Sequence, residues 1–364
     1  MMNWPYHSFI VNGEKKGFSR SRLERIYKRV HSIENKRFPV VLTLKHLSIL
    51  SNVPFRNLYS LMIQKLDEGY TKFTIKKKGT NKRRKICIPS PLISKVQHWI
   101  LNHVLNKIMP DSHSFAYEKG LSIKDCASQH IGCRWLLKFD IENFFPSITE
   151  KHVYHIFRQC GYSRLLSFEL AMICTIRKEG KNSNFSKIPA YNYIGTLPQG
   201  ASTSPKLANL VMREFDKELG NYALSKNLAY TRYADDIHLS SASFDFNRKK
   251  AVETIAFVYD LLRKYGFSPN ETKTSVRSPK SKKIILGLVV EKNGLYLPKE
   301  KKNQLEVHFY HFNNNPIAHT RKRGFGTVLG AYNYINGLFN FAKQIEPNFC
   351  ERLERKYGEL KIIA

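Results

Sequence analysis

Apolar residues recur at helical spacing through the opening of the chain. In "SRLERIYKRVHSIEN", Leu23, Ile26 and Val30 share one helical face. "TLKHLSILSNVPFRNLYSLMIQKL" predicts two short helices broken at Asn52-Val53-Pro54, so the stretch to about Glu68 reads as helical. The pattern then changes to strands. Lys72 to Lys76 and Lys85 to Ile88 flank a Gly79-Thr80-Asn81 turn. An amphipathic helix follows, with Val96, Trp99, Ile100, Val104 and Ile108 on one face. "SIKDCASQHI" predicts a further helix, and "WLLKFDI" a buried strand that ends in a carboxylate.

Residues 150–177 carry a helical pattern, whereas 178–196 have no period and read as a loop. "LPQGASTSPKLANLVMREFDKEL" begins as a Pro/Gly turn and becomes a helix. Two strands flank "YADD", and "RKKAVETIAFVYDLLRKYGF" is a helix ending at Gly266. "IILGLVV" and "GLYLPK" read as two more short strands, and the last 60 or so residues as helices. Strands and helices interleave between helical ends, which predicts an α+β fold around an antiparallel sheet.

Charge adds a partner to this outline. The 364 residues hold 60 Lys and Arg against 29 Asp and Glu, a formal +31. Such an excess implies a polyanion, most often nucleic acid. Seven cations (Lys76, Lys77, Lys78, Lys82, Arg83, Arg84, Lys85) crowd the first hairpin, an anion-binding feature as readily as a solvated face. The longest apolar run, "IILGLVV", is far too short to span a bilayer, so no membrane partner is expected. No apolar leader segment is seen, and the six scattered cysteines form no CxxC pair, which fits free thiols in a cytoplasmic setting.

The candidate chemistry lies in carboxylates. Asp140 closes an apolar strand, and Asp235 and Asp236 sit at the tip of a hairpin built on Ala229, Tyr230, Tyr233, Ala234, Ile237 and Leu239. Alone, each is ambiguous: strand-terminal Asp is commonly a cap, and adjacent Asp pairs arise by chance. Together, three carboxylates on neighbouring strand ends would hold two Mg²⁺ ions through oxygen ligands. Two such ions activate a hydroxyl for in-line attack on a phosphate and stabilise the leaving oxygen.

"FDIENFFPSI", "LPQGASTSPKLAN" and "YADD" occur in the order and approximate spacing of reverse transcriptase motifs, and the resemblance runs from about Val40 to the C-terminus. Within that family the chain looks most similar to bacterial retron enzymes, through "EKGLSIKDCASQHIGCRWLLKFDIENFFPSIT" and "LERKYGEL". The resemblance implies a right-hand polymerase: an N-terminal helical region (1–70), fingers (71–134), palm (135–150 and 196–295) with an antiparallel sheet packed on helices, fingers/palm helices with an insertion (151–195), and a helical thumb (296–364).

It also implies roles. Asp140, Asp235 and Asp236, with the backbone carbonyl of Ile141, would hold the metals, and Lys273 would protonate the leaving pyrophosphate. Phe145 matches the steric gate against a ribose 2′-OH. Gln199, Arg84 and Lys77 would contact the dNTP, with Gly200 permitting close backbone approach. Tyr233 would lie near the primer terminus, while His130 and Gly287 belong to boxes associated with recognition of the RNA. Those boxes depart from the retron pattern: "CASQH" has Cys126 where Asn is common, and "ILG" has Leu286 where Thr is common. For His130 the alternative is a structural histidine bonded to a nearby carbonyl. Arg321, Lys322 and Arg323 would hold phosphates, whereas Tyr332, Tyr334 and Phe339 read as packing.

The implied reaction is RNA-templated DNA synthesis from dNTPs. The implied template and primer is a dedicated structured non-coding RNA, extended from an internal guanosine 2′-OH. The branched RNA–DNA product would stay bound, with an accessory effector in anti-phage defence and with any oligomer formed through the nucleoprotein. The alternatives are another defence-associated or group II intron-like reverse transcriptase, or mainly a scaffold that sequesters an effector.

Overall fold

The computed structural model describes residues 5–63, 69–76, 83–177 and 195–361. In chain order the helices open with α1 (Tyr6–Lys15), α2 (Arg20–Asn35), α3 (Leu44–Leu50) and α4 (Phe55–Ile63). The hairpin β1 (Tyr70–Lys76) and β2 (Arg83–Pro89) precedes α5 (Pro91–His103), α6 (Ile123–Ser128) and β3 (Trp135–Asp140). Next come α7 (Phe144–Ser147), α8 (Glu150–Gln159), α9 (Arg164–Cys174), β4 (Ile176–Arg177) and β5 (Gly195–Thr196). Then α10 (Ser204–Val211), α11 (Arg213–Ser225), β6 (Ala229–Tyr233), β7 (Asp236–Ser241) and α12 (Arg248–Lys264) follow. Strands β8 (Ser275–Arg277), β9 (Lys283–Ile285), β10 (Leu288–Val290) and β11 (Leu295–Tyr296) lead into α13 (Lys299–Asn314), α14 (Pro316–Arg323), α15 (Val328–Ile345) and α16 (Pro347–Tyr357).

Two compact units emerge. One comprises Met1–Glu118, Ile141–Glu218 and Asp260–Pro269, the other Lys119–Asp140, Leu219–Tyr259 and Asn270–Ala364. In the first, β1 and β2 form the expected basic hairpin, and Tyr70, Cys87 and Ile93 pack with Met172, Ile176 and Ala201. Lys77, Lys78 and Lys82 lie outside the described residues. Helices α3 and α4 break where Pro54 predicts, with the Thr43 hydroxyl accepting from the His46 amide at 3.1 Å to start α3.

The second unit carries an antiparallel sheet in the order β6-β7-β3-β8 and a smaller one in the order β11-β10-β9. Its core joins Leu136 of β3 and Ile285, Leu288 and Val290 of the small sheet to Phe309, Phe312, Ile335 and Phe339 of the C-terminal helices. Pro316 and the Asn315 cap start α14, and Gly324 at φ 71° ends it.

Several local expectations are corrected. "IILGLVV" is not one strand but the hairpin β9–β10, because Leu286 (φ 48°) and Gly287 (φ 81°) turn the chain between Ile285 and Leu288. β8 is an additional strand, and Ile176–Arg177 and Gly195–Thr196 pair as strands rather than helix and loop. The rest of the expected insertion, 178–194, lies outside the described residues. α5 ends at His103, and Trp99 stays partly exposed, stacked on His103, while Gln97 is buried and donates to the Tyr70 hydroxyl at 2.8 Å. Among the described residues, no helix is long and apolar enough to cross a membrane.

Candidate active site

The carboxylates are placed by sheet register. β3 pairs antiparallel with β7, so that Asp140 stands opposite Asp236 at one end of the sheet. β6 pairs with β7 through Tyr233↔Asp236, leaving a two-residue turn of Ala234 and Asp235. Ala234 takes φ 57°, the left-handed conformation such a turn demands and one that an alanine adopts at a cost of about 1–2 kcal/mol. Buried Arg232 supports the turn from within its unit, donating from Nη1 to the Ala234 carbonyl at 3.1 Å.

The electrostatics favour a cation. Burial, then the charges of Asp235 and Asp140, push the Asp236 carboxyl up to about 6. Asp140 is buried, and Lys273 Nζ donates to its Oδ1 at 2.5 Å. Burial works against the Lys273 ammonium, but its hydrogen bond to Asp140 and the charges of all three aspartates outweigh that and raise its pKa.

Asn270 adds two contacts that the sequence reading missed. Its Nδ2 donates to Asp140 Oδ2 at 3.0 Å, and its backbone N–H donates to the Asp140 carbonyl at 2.8 Å. Its position three residues before Lys273, in "SPNETKTS", was the available signal. Among the described residues, no three His, Cys, Asp or Glu side chains close into a ready ligand cluster. Lys273 and Asn270 engage both oxygens of Asp140 instead. The donor chemistry itself, neighbouring carboxylates of which Asp236 is held up by burial first and by the charges of the other two second, fits a hard divalent cation.

Other expected residues of this unit fall in distinct settings. His130 is 1% exposed, with Nδ1 2.7 Å from the Ser240 hydroxyl and Nε2 2.8 Å from the Thr231 hydroxyl. Burial pushes its imidazole down to about 4. Its partners are thus strand hydroxyls, not the carbonyl expected for a structural histidine. Cys126 also reaches the Thr231 hydroxyl, at 3.3 Å. Gly287 forms the β9–β10 turn, and Arg321, Lys322 and Arg323 are exposed on the last turn of α14. Phe339 is core and Tyr332 packs against it, but Tyr334 is 43% exposed, edge-on to His308 and packed by Phe325.

The first unit holds the remaining expected residues. Phe145 follows its neighbour Phe144 in α7 and is partly buried, edge-on to Tyr117 with ring centroids 6.3 Å apart. Gln199 and Gly200 form a turn clasped by β2: the Cys87 N–H donates to the Gln199 carbonyl at 2.7 Å. Gly200 adopts φ 126°, and a β-carbon there would stand 2.8 Å from the Cys87 carbonyl oxygen. The close approach expected of this glycine is therefore to a neighbouring strand. Arg84 is exposed on β2, paired with Ile75, and Ile141 is buried and bridged to Pro269. Lys77 lies outside the described residues.

The family profile described as "Reverse transcriptase (RNA-dependent DNA polymerase)" matches residues 75–309. The retron Ec86 reverse transcriptase of Escherichia coli is 32% identical over 92% of this chain and 96% of its own length. The retron Mx162 reverse transcriptase of Myxococcus xanthus is 28% identical, covering 76% of this chain and 58% of its own. The group II intron-encoded protein LtrA of Lactococcus lactis is 30% identical but covers only 43% of this chain and 27% of its own. A profile spanning the carboxylates, together with a relative matched nearly end to end, fixes the assignment: the chain belongs to the reverse transcriptase family, as a bacterial retron reverse transcriptase, and is an RNA-directed DNA polymerase.

Proposed function

We propose that this polymerase copies part of a dedicated structured non-coding RNA into DNA, beginning at an internal guanosine 2′-OH, and that the branched RNA–DNA hybrid remains bound. The enzyme would work in the cytoplasm with an accessory effector in anti-phage defence. The observation that carries the catalytic part is the register of β3 and β7, which sets Asp140 opposite Asp236 with Asp235 in the adjoining turn. The near end-to-end similarity to a retron enzyme supports the choice of template.

Asp140, Asp235 and Asp236, with the Ile141 carbonyl, would hold two Mg²⁺ ions. When bound, these supply charge neutralisation for the entering triphosphate and acidity at the attacking hydroxyl. The raised Asp236 pKa, caused first by burial and then by the charges of Asp235 and Asp140, supports that assignment, since a divalent cation would offset both. Lys273 carries its proton at Nζ beside Asp140, and we assign it delivery of that proton to the leaving pyrophosphate. Asn270 fixes the Asp140 carboxylate in one orientation through its paired contacts. Phe145 excludes a ribose 2′-OH, and Gln199, Arg84 and Lys77 receive the dNTP. Tyr233 serves the primer end, and Gly287, Arg321, Lys322 and Arg323 serve nucleic acid. The burial and saturated hydrogen bonding of His130 support a structural role for that ring over direct contact with RNA.

Asp235→Asn tests the chemistry: DNA synthesis should disappear while the protein still co-purifies with RNA, and Asp236→Asn should be milder. Full synthesis by Asp235→Asn would refute the metal assignment. Sequencing the co-purified nucleic acid tests the priming, where a branched RNA–DNA species is expected. An unbranched product alone would return the reading to another class of reverse transcriptase. Defence that survives the loss of synthesis would favour the scaffold reading.

A further inference from the structure

The N-terminal helices α1–α4 lie wholly before the stretch matched by the reverse transcriptase profile, which begins at residue 75. In the first unit, α2 packs closely on the turn between α8 and α9. Gly161 permits this approach: it adopts φ 99°, and a β-carbon there would stand 3.3 Å from the Ile33 side chain. The junction is tied by Lys36 Nζ donating to the Gln159 carbonyl at 2.8 Å and by the Tyr162 hydroxyl donating to the Pro39 carbonyl at 3.0 Å.

Along this junction runs a groove of about 590 Å³. Among the described residues, four of its lining side chains are cationic, Lys28 and Arg29 from α2 with Arg158 and Arg164 from across the turn, and none is acidic. A second recess of about 440 Å³ continues along α2, shares Lys28 and Ser32, and ends at Lys36. Arg25, Arg29 and Ser32 recur every three or four residues, so the exposed face of α2 offers a polar or cationic group about once per turn. Opposed cations without a carboxylate repel one another, and a polyanion laid between them removes that repulsion. A row of donors at one per turn suits successive phosphates along one strand, whereas a folded acidic protein would present carboxylates in patches.

We propose that this groove is a docking surface for the phosphate backbone of a double-stranded RNA stem, separate from the residues assigned to synthesis. The inference rests on the reading that the chain binds a structured RNA. The groove would grip the folded part of that RNA, and so set affinity and register without reading bases.

The test compares wild type, Arg29→Glu/Arg164→Glu and a control with the same change in net charge, Lys249→Glu/Lys250→Glu on α12. All four side chains are exposed, so each variant should fold. The probes are a 16-base-pair RNA hairpin for binding and a short unstructured primer–template for synthesis. The groove variant should bind the hairpin roughly 10- to 100-fold more weakly near physiological salt. Its log–log salt slope should be shallower by about 2, near one unit per lost phosphate contact. Synthesis on the unstructured template should stay within about two-fold, as general charge-steered encounter changes little. Hairpin affinity and slope equal to wild type would overturn the proposal, as would an equal loss in the control. So would loss of binding to a protein partner with hairpin binding intact. Failure of wild type itself to bind the hairpin would instead count against the structured-RNA reading.

Discussion

Replacing His130 by Leu removes a ring whose two nitrogens are both engaged, and the consequences can be worked out from its surroundings. The Thr231 and Ser240 hydroxyls that it contacts are 0% and 2% exposed, so they find no water in exchange. A buried polar group stripped of its partner costs about 1–3 kcal/mol. Two such groups predict a loss of about 2–5 kcal/mol at pH 7, with Cys126 retaining part of the Thr231 contact.

The same ring predicts a pH dependence. Burial holds it neutral, with a pKa near 4 against an ordinary 6.5. Its contribution is therefore fully present above about 6.5 and is lost as the pH falls towards 4, because the unfolded chain takes up a proton that the fold refuses. Between pH 7 and pH 5 this amounts to about 2 kcal/mol, at about 1.36 kcal/mol per unit. Neighbouring His238, with its ring centroid 6.1 Å away, is also held low, by burial first and then by His130 and Lys138, and burial keeps it depressed in both proteins. Urea unfolding at pH 7, 6 and 5 should show a gap between wild type and His130→Leu that narrows by about 2 kcal/mol as the pH falls. A gap under about 1 kcal/mol at pH 7, or two parallel curves, would refute the reasoning.

Phe145→Val should raise ribonucleotide incorporation, measured by alkali-sensitive sites in the product, and an unchanged dNTP preference would remove Phe145 from the gate. Gly200→Ala should lower stability by about 2–4 kcal/mol in a thermal melt, combining a left-handed backbone at φ 126° with a β-carbon 2.8 Å from the Cys87 carbonyl. A melting point within experimental error of wild type would contradict the clasp between β2 and the Gln199 turn. Template affinity should fall with salt at a log–log slope of roughly −5 for six phosphate contacts on duplex, and a slope near zero would contradict a basic binding surface.

The sequence disclosed those parts of the fold whose determinants are local. Alternation around "YADD" and the apolar run before Asp140 marked β3, β6 and β7, and Pro54 and Gly266 marked helix ends. The β9–β10 turn escaped because Leu286 occupies a left-handed position with no polar turn residue to announce it. β8 escaped because Ser275–Arg277 is only three residues long and mostly exposed. The partners of His130 lie 101 and 110 residues away along the chain, so no window could show them. The contact of Asn270 escaped for the same reason, since its target, Asp140, is 130 residues distant and only the nearby Lys273 hinted at it.

The two-residue turn at Ala234 and Asp235 has a consequence for length rather than chemistry. Side chains alternate faces along β7, and its pairing sets Asp140 against Asp236 and Phe139 against Ile237. One inserted residue in that turn, or one deleted, would slip the register by a step and exchange the two faces, sending a carboxylate into the core and Ile237 to the sheet end. For folding, as distinct from catalysis, the segment from Tyr233 to Asp236 should therefore tolerate changes of residue better than changes of spacing. Libraries that vary its composition at fixed length should yield folded proteins, whereas single-residue insertions should not.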